Sequence, residues 1–238
     1  MKKVVILPDI HTKLAISKEY KVVKKYIAAN NPDEIVILGD FMEVEAFSAW
    51  DSKKRMLMEG RRYAKEVAFA NKELDFLQKH CKKITFIEGN HENRVERYIE
   101  ENPELDGIIN IPIVLKLKER GIEWFTEGEF YKISKMYFTH GISTTQAHAK
   151  ATMMKIGANI CYGHTHRYDT YMMNMELQTP HTAYGLGCLC NKKPYWARNK
   201  MMGWINQFAV MEYKGDIFNL YPITIIKGKF IINGRLWK

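Results

Sequence analysis

The sequence predicts an α/β protein, because short apolar runs typical of buried strands alternate with stretches of helical periodicity. Residues 4–7 and 34–38 are largely apolar runs, and between them apolar side chains recur at helical spacing over residues 16–27. A strand, a helix and a strand in this order form a β-α-β unit with parallel strands and a right-handed connection. A third apolar run at residues 84–87 extends the same pattern.

The same two patterns, apolar strand runs and helical spacing, predict the elements further along the chain. Residues 61–77 carry an apolar stripe at helical spacing, and another helix is expected to begin after Glu92. Short strands are expected at residues 130–133, 136–139 and 159–162. The strands therefore continue through most of the chain and alternate with helices.

Three segments are less regular. Residues 41–59 have no clean period and are expected to form a long loop with some helix at the rim of a site. Residues 114–120 are expected to be helical. Ser143 is expected to cap a helix that runs to about Gly157.

Nothing in the composition divides the chain into separate units. Hydrophobic residues make up 46% of the 238 residues, which is enough apolar material for a core. No internal repeat, low-complexity tract or clear linker is present. We therefore expect residues 1–238 to form a single domain whose last third, about residues 168–238, is rich in strands.

The charge of the chain is positive. It carries 36 lysines and arginines against 27 acidic residues, a formal net charge of +9. A positive field attracts phosphorylated substrates and raises their encounter rate. The basic residues lie in scattered pairs and form no long run, so the predicted attraction to anions is mild, and nucleic acid stays open as a partner.

Cysteine spacing and the N-terminus bear on the cellular compartment. The chain has four cysteines and no C-x-x-C, so a zinc ribbon is not predicted and free thiols in a reducing compartment are expected. The first apolar stretch ends at Pro8, which is too short for a signal-peptide core, and no long apolar run follows. These features predict a cytoplasmic protein without a membrane segment.

Potential metal ligands stand at the ends of successive predicted strands. In open α/β sheets, sites form beyond the carboxyl ends of the strands, where loops from separate strands converge. The set mixes carboxylate, amide and imidazole groups, which suits manganese, iron and zinc, and no thiolate is expected to take part. Glycines precede Asp40, Asn90 and His164 and are expected to allow sharp turns there. The candidate residues are Asp9, His11, Asp40, Asn90, His91, His140, His164 and His166.

Five short sequence blocks occur in a characteristic order along residues 7–166. They are D-x-H at Asp9, G-D ending at Asp40, G-N-H-E at residues 89–92, a histidine before glycine at His140, and G-H-x-H at residues 163–166. In this order they resemble the signature of the calcineurin-like metallophosphoesterases, over about two thirds of the chain.

The resemblance implies a fold and a cofactor. The fold is a four-layer α/β/β/α sandwich, in which helices flank two mixed sheets. The cofactor is a pair of divalent metal ions, manganese first, with iron or zinc as alternatives, which together clamp the attacking and leaving oxygens of a displacement at phosphorus. Asp40 would bridge the two ions. The first ion would be held by Asp9, His11 and His166, and the second by Asn90, His140 and His164.

Three further candidate residues lie in or just after the G-N-H-E block, and the resemblance supplies a role for the first of them, His91. His91 would lie outside the metal coordination and protonate the leaving oxygen or stabilise charge on the phosphoryl group. Arg94 is a candidate substrate contact, with a solvated position as the alternative. Glu92 is a candidate for substrate binding or for orienting His91 or a liganding histidine, with a helix N-terminal acid as the alternative.

One block departs from the pattern of protein phosphatases in this superfamily. Those enzymes carry G-D-x-x-D-R-G, whereas here Glu43 replaces the second acid and the arginine-glycine pair is missing. Residues 193–196 and 203–204 look more like those of small prokaryotic and phage-encoded members. Four aromatic side chains are candidates for stacking on a base, although core or rim packing is the preferred interpretation; they are Trp50, Tyr195, Trp196 and Trp204.

The expected function is hydrolysis of phosphate mono- or diesters by a water activated between two metal ions, on nucleotides or nucleic-acid ends. A DNA or RNA nuclease is the nearest alternative, and it should bind long polymer with a steep salt dependence. A non-catalytic scaffold with the same fold is the alternative from another class. That scaffold is disfavoured because every ligand of the pattern, and His91, are present.

Overall fold

The computed structural model describes residues 1–12, 16–49, 53–176, 178–192 and 200–238. Trp50, Tyr195 and Trp196 therefore lie outside the described residues, as does the segment at residues 193–196. The strands are β1 (Lys2–Leu7), β2 (Glu34–Ile37), β3 (Lys83–Ile87), β4 (Glu123–Phe125), β5 (Tyr131–Ile133), β6 (Met136–Thr139), β7 (Ile160–Tyr162), β8 (Asp169–Met175), β9 (Gln178–Gly185), β10 (Gln207–Lys214), β11 (Ile217–Thr224), β12 (Phe230–Ile232) and β13 (Arg235–Trp237). The helices are α1 (Lys18–Asn30), α2 (Arg55–Met58), α3 (Tyr63–His80), α4 (Asn93–Glu101), α5 (Ile111–Val114) and α6 (His148–Ile156).

The strands form two large mixed sheets. The first has the order β11-β10-β1-β2-β3-β4, with β1 to β4 parallel and β10 antiparallel to β1. The second has the order β5-β6-β7-β9-β8, with β6, β7 and β9 parallel. Among the described residues after 168, β10 and β11 belong to the first sheet, β8 and β9 to the second, and β12 and β13 pair with each other.

The two sheets pack face to face, with helices on their outer faces. One face of the first sheet, with Val5 and Ile35, packs in a single apolar cluster with Tyr20 of α1 and Leu74 of α3. The residues that alternate with these point the other way, into a cluster shared with the second sheet. On the far face of the second sheet, Met153 of α6 packs in a third cluster. The four-layer α/β/β/α arrangement is confirmed.

The burial of β1 and β2 on both faces explains their continuous apolar sequences. The predicted β-α-β unit is confirmed, with β1 parallel to β2 across α1. Ser17 caps α1 by accepting a hydrogen bond from the Tyr20 N–H at 2.9 Å, and the helix ends at Asn31 in the left-handed region, with φ 41°.

Two helix predictions were wrong in their boundaries. Residues 114–120 are not a helix: α5 ends at Val114, and turns follow in which Lys116 has φ 56°. The apolar spacing there reflects buried Leu115 and Leu117 in turns. The Ser143 hydroxyl lies 3.2 Å from the Thr145 hydroxyl and caps no helix.

Helix α6 instead begins at His148 and is capped from a distant part of the chain. The Asp169 carboxylate accepts the Ala149 N–H at 2.8 Å. The helix ends at Gly157 with φ 64°, as the sequence predicted. Within the described residues, no helix is both long enough and apolar enough to cross a bilayer.

Candidate metal centre

The candidate residues follow neighbouring parallel strands in both sheets. In the first sheet, Asp9 and His11 follow β1, Asp40 follows β2, and Asn90 follows β3. In the second sheet, His140 follows β6, and His164 and His166 follow β7. Carboxyl ends of parallel neighbours lie at one edge of a sheet, and face-to-face packing brings the two edges together. The structure therefore assembles residues from five strand ends into one site.

The first group of donor atoms comprises Asp9, His11, Asp40 and His166, all within 4.8 Å of one another. The His11 Nε2 and His166 Nε2 atoms are 3.1 Å apart, and His166 Nε2 lies 3.2 Å from Asp9 Oδ1. His11 Nε2 lies 3.6 Å from Asp40 Oδ2. These are the residues that the sequence assigned to one ion, together with the proposed bridge.

The second group comprises Asp40, Asn90, His140 and His164. His140 Nε2 and His164 Nδ1 lie 3.0 Å and 2.8 Å from Asn90 Oδ1, and 3.1 Å from each other. His140 Nε2 also lies 3.5 Å from Asp40 Oδ1. Asp40 thus presents one carboxylate oxygen to each group, which is the arrangement that a bridging ligand requires.

The donor atoms in both groups fit a divalent cation. Ring nitrogens face each other at 3.1 Å in each group, between His11 and His166 and between His140 and His164. Two neutral imidazoles can share such a contact only if one of them donates a proton to the other. A cation between them satisfies both lone pairs, and the mixture of oxygen and nitrogen donors suits manganese, iron or zinc.

Outer hydrogen bonds fix the orientation of two of these histidines. His11 Nδ1 lies 3.0 Å from Glu43 Oε2, and His140 Nδ1 lies 2.7 Å from the Leu38 carbonyl oxygen. Each Nδ1–H can therefore donate outward, which leaves the Nε2 lone pair facing the donor groups. Glu43 was known from the sequence only as a departure from the protein-phosphatase pattern, and its contact with His11 was missed.

Charge and burial act against each other at Asp40, which is almost completely buried. Burial disfavours its charged form, but the surrounding histidines, His91 and His140 foremost, outweigh burial and hold the pKa of the carboxyl well below its usual range. Asp40 is therefore a carboxylate at neutral pH, as a ligand shared by two cations must be.

The backbone at these residues is unusual. Asp9, His11 and Asp40 have φ values of 43°, 49° and 45°, and His164 and His166 have 71° and 58°. Non-glycine residues seldom adopt this left-handed region, and they hold it only where the surrounding structure imposes it. The concentration of such residues at one place is typical of a functional site.

The glycines of the motifs serve two purposes. Gly39 has φ 82°, and a Cβ atom there would lie 2.6 Å from His140 Nδ1, so the expected sharp turn is confirmed. Gly89 and Gly163 have no positive φ; a Cβ atom on them would collide with the Asp40 and Asp9 carboxylates. At these two positions glycine permits close approach of the backbone rather than a turn.

His91 lies beside the two groups. Its Nε2 atom is 3.9 Å from Asp40 Oδ2, and its backbone N–H donates to Asp40 Oδ1 at 2.9 Å. Its Nδ1–H donates to the Glu43 carbonyl oxygen at 3.0 Å, so Nε2 is free to accept a hydrogen bond from Arg94 Nη2 at 3.0 Å. Burial lowers the pKa of His91 to about 4, which makes its ring neutral.

Glu92 was a candidate for substrate binding, and the structure does not place its side chain where it could contact a substrate. Glu92 is fully buried, and its Oε2 atom accepts the N–H groups of Asp40 and Gly89 at 2.9 and 3.0 Å. Its Oε1 atom accepts the Met42 N–H at 2.7 Å. Burial raises the pKa of this carboxyl to about 8. Glu92 positions the Asp40 loop and presents no atom to a substrate, because backbone amides occupy both oxygens.

A thiol lies beside the first group. Cys190 Sγ lies 3.8 Å from His166 Nδ1, and Cys190, His11 and His166 offer donor atoms within 4.8 Å of one another. The Leu189 N–H donates to the carbonyl oxygens of Pro8 and Asp9 at 3.1 Å, which places this segment beside the end of β1. No local sequence signal could show this contact, because the partners are far apart in the chain.

The aromatic candidates are only partly within the described residues. Trp204 packs edge-on against His166, with ring centroids 4.2 Å apart, which agrees with the packing interpretation. His148, for which packing or a helix-surface position was preferred over substrate binding, is buried behind the His164–His166 turn, with its Nδ1 atom 2.7 Å from the Tyr162 hydroxyl.

Comparison with known proteins gives matches over the whole chain. A family model described as calcineurin-like phosphoesterase matches residues 2–168. The Gene 54 protein of Mycobacterium phage L5 is 26% identical over 262 residues, covering 100% of this chain and 99% of that protein. The Gene 54 protein of Mycobacterium phage D29 is 24% identical with the same coverage.

Solved structures show the same fold at low identity. Vacuolar Protein Sorting 29 from Cryptosporidium parvum has a TM-score of 0.54 at 12% identity, covering 97% of this chain and 94% of that chain. Wild-type Vps29 from Entamoeba histolytica, complexed with Zn²⁺, has a TM-score of 0.52 at 12% identity, with 96% of each chain covered. The family model covers well over half of the sequence, and the chain therefore belongs to the calcineurin-like phosphoesterase family.

Proposed function

We propose that this protein is a metal-dependent hydrolase of phosphate mono- or diesters that uses two divalent ions and a water molecule. The observation that carries the proposal is the arrangement of donor atoms in two groups that share Asp40, one carboxylate oxygen facing each group. Two ions in these groups would lie close together and need a shared anion between them, which Asp40 supplies.

The proposed assignment of ligands follows the two groups. Asp40 would bridge the ions. The first ion would be held by Asp9, His11 and His166, and the second by Asn90, His140 and His164. When bound, the ions supply the positive charge that turns water into a nucleophile at neutral pH and neutralises the phosphoryl oxygens.

His91 and Arg94 are proposed to handle the phosphoryl group. Arg94 donates from Nη1 to the Glu43 carbonyl oxygen at 2.9 Å and from Nη2 to His91 Nε2. A phosphoryl oxygen is a stronger acceptor than a neutral imidazole, so an incoming ester would take over the Nη2 contact. His91 Nε2 would then face the ester and, once protonated, could pass that proton to the leaving oxygen or stabilise charge on the phosphoryl group.

The substrate class is proposed from charge. A net charge of +9 favours anionic substrates, and we propose nucleotides or nucleic-acid ends. Manganese, iron and zinc are the divalent ions whose support of hydrolysis should be compared. Zinc is included because the Vps29 relative of the same fold is described as a Zn²⁺ complex.

The proposal is tested with metal-depleted protein and two chromogenic esters, p-nitrophenyl phosphate and bis-p-nitrophenyl phosphate. Hydrolysis should appear on addition of Mn²⁺ and be abolished in Asp40→Asn. Asp216→Asn is the matched control, because this exposed carboxylate pairs only with Lys135 at 3.2 Å among the ion pairs described. Absence of turnover with every divalent ion would reject the enzyme and favour a non-catalytic scaffold.

The second candidate function is a nuclease, which the positive charge favours. A nuclease neutralises several backbone phosphates and releases their counterions, so its affinity for long DNA or RNA falls steeply with salt concentration. A hydrolase of nucleotides or ends lacks that steep dependence. Measuring KM for a mononucleotide and for a long single strand over a range of salt concentrations separates the two.

A further inference from the structure

The turn that carries His164 and His166 is strained and supports both donor groups. His164 Nδ1 belongs to the second group and His166 Nε2 to the first. Both residues have left-handed backbones, with φ 71° and 58°. A turn of this kind is not adopted spontaneously, so contacts from outside must hold it.

Thr165, between the two histidines, makes those contacts. Its hydroxyl accepts the Arg167 N–H at 3.3 Å and lies 3.2 Å from the Arg167 carbonyl oxygen. It also lies 3.2 Å from Nε2 of His148, the first residue of α6. The side chain therefore joins the turn to a helix on the outer face of the second sheet.

His148 is itself held on the side away from Thr165. Its ring is almost fully buried, and its Nδ1 atom lies 2.7 Å from the hydroxyl of Tyr162, the last residue of β7. A Cβ atom on Gly185 would lie 2.7 Å from the same Nδ1, so the ring packs directly against the backbone of β9. Shape and hydrogen bonding together fix the position of the imidazole.

One arrangement of protons makes each of these contacts a hydrogen bond. Tyr162 O–H would donate to His148 Nδ1, His148 Nε2–H to the Thr165 oxygen, and Thr165 O–H to the Arg167 carbonyl oxygen. A second hydrogen bond joins the same two segments: Asp169, just beyond the turn, accepts the Ala149 N–H of α6 at 2.8 Å. The turn and the start of α6 therefore form one unit.

We propose that His148, acting through the Thr165 hydroxyl, is a positioning residue that sets the separation between His164 Nδ1 and His166 Nε2, and with it the separation of the two metal ions. The inference rests on the two-ion site proposed above. Neither residue touches substrate or metal in this role. Without this hydrogen bond the chain still carries both histidine ligands, but the turn that fixes their separation is no longer held.

The test compares pairs of variants that remove or keep the hydrogen bond. Thr165→Val keeps the shape and loses the hydroxyl, whereas Thr165→Ser keeps the hydroxyl. His148→Phe keeps a flat ring and loses the donor, whereas His148→Gln keeps an N–H near the position of Nε2. His80→Phe is the control, because His80 ends α3 and contacts Asn31 and Phe76.

The readouts are Mn²⁺ binding and the electron paramagnetic resonance spectrum of the Mn²⁺-loaded protein, since coupling between two Mn²⁺ ions depends on their separation. Thr165→Val and His148→Phe should show the spectrum of uncoupled ions and about tenfold weaker binding of the second ion. Thr165→Ser, His148→Gln and the control should keep the coupled spectrum.

Three results would overturn parts of the account, and they are distinguishable. A coupled spectrum retained in folded Thr165→Val and His148→Phe rejects the positioning role and leaves the proposed function intact. Loss of the coupled spectrum in Thr165→Ser or His148→Gln, which keep the hydrogen bond, also rejects it. No coupled spectrum in the wild type rejects the two-ion site itself. If Thr165→Val or His148→Phe does not fold, the pair of variants at the other position tests the proposal.

Discussion

At the scale of single residues, contacts from outside the two donor groups orient histidines within them. Residue type and position after a strand were enough to bring Asp9, Asp40 and His140 into one list of candidates. The outer contacts were not predictable, because His11 is oriented by Glu43 and His166 lies against Cys190. Such contacts depend on side-chain directions that local periodicity does not encode.

Arg94 gives a prediction at the residue scale. Arg94→Ala should raise KM for phosphate esters about tenfold to a hundredfold, because a hydrogen bond to a charged group contributes about 1.5–3 kcal/mol. Arg94→Lys should recover part of the loss, since lysine supplies the charge without the two-pronged geometry. Steady-state kinetics with saturating Mn²⁺ provides the measurement.

The control for Arg94 is Arg235→Ala, which removes a cation that lies over Trp237 in the last strand. Its KM should stay at the wild-type value. An Arg94→Ala variant with unchanged KM and kcat would show that Arg94 serves only to hold the Glu43 carbonyl and His91.

At the scale of elements, the loop after β2 is held by two buried carboxylates. Glu92 accepts N–H groups at the start of the loop, and Glu66 Oε1 accepts the N–H groups of Glu43 and Val44 at 2.6 Å each. Val44 has φ 49°, so this loop also has a left-handed position. Glu66 comes from α3, and the helix thereby fixes where Glu43 meets His11.

Glu66 gives a prediction on pH. Burial is the main cause that raises the pKa of Glu66 to about 7, partly offset by its backbone hydrogen bonds. A carboxyl with a raised pKa binds its proton more tightly in the folded protein than in the unfolded chain. Its stabilising contribution is therefore complete below the ordinary carboxyl pKa and is lost as pH rises through about 7.

The effect should appear in urea unfolding of the metal-free protein. Between the ordinary carboxyl pKa and about 7, the free energy of unfolding should fall by up to about 3 kcal/mol on this account. Glu66→Gln should reduce the total fall by that amount, because buried Glu92, whose pKa is raised to about 8, contributes a fall of its own. Glu104→Gln, on the exposed surface, should leave the total fall unchanged. An equal slope in the wild type and Glu66→Gln would assign the pH dependence to other groups.

The elements also show where sequence reasoning fails. Strands β1, β2 and β3 were predictable because burial on both faces leaves an uninterrupted apolar run. The start of α6 was not, because its N–H group is capped by Asp169, twenty residues further along the chain. The prediction of a helix at residues 114–120 was wrong because buried leucines in turns have the same spacing as the apolar face of a helix.

At the scale of the whole molecule, both ends of the sequence contribute to one structure. Strand β10, near the C-terminus, pairs with β1, and Trp237 of β13 packs against Tyr26 of α1 with ring centroids 5.2 Å apart. These contacts support the proposal that residues 1–238 form a single domain. The proposed metal centre takes residues from the ends of strands in both sheets, so both sheets must be folded for it to form.

Thermal unfolding should therefore show one transition, and Mn²⁺ should shift it. Ions that bind the folded protein and not the unfolded chain stabilise it by about 2.7 kcal/mol at a hundred times Kd. For a chain of this size that corresponds to a rise in Tm of roughly 5–10 °C. Calorimetry with and without Mn²⁺ provides the measurement, and two separate transitions would indicate two independently folding parts.

The proposed chemistry depends on two ions that share the Asp40 carboxylate, and the metal content of the protein tests this arrangement. Mn²⁺ bound per chain, measured with the electron paramagnetic resonance spectrum, should give two coupled ions in the wild type. Asp40→Asn should lose the coupled pair, while Asp216→Asn retains it. Two ions bound by Asp40→Asn with wild-type affinity and coupling, or a single ion in the wild type, would contradict the account.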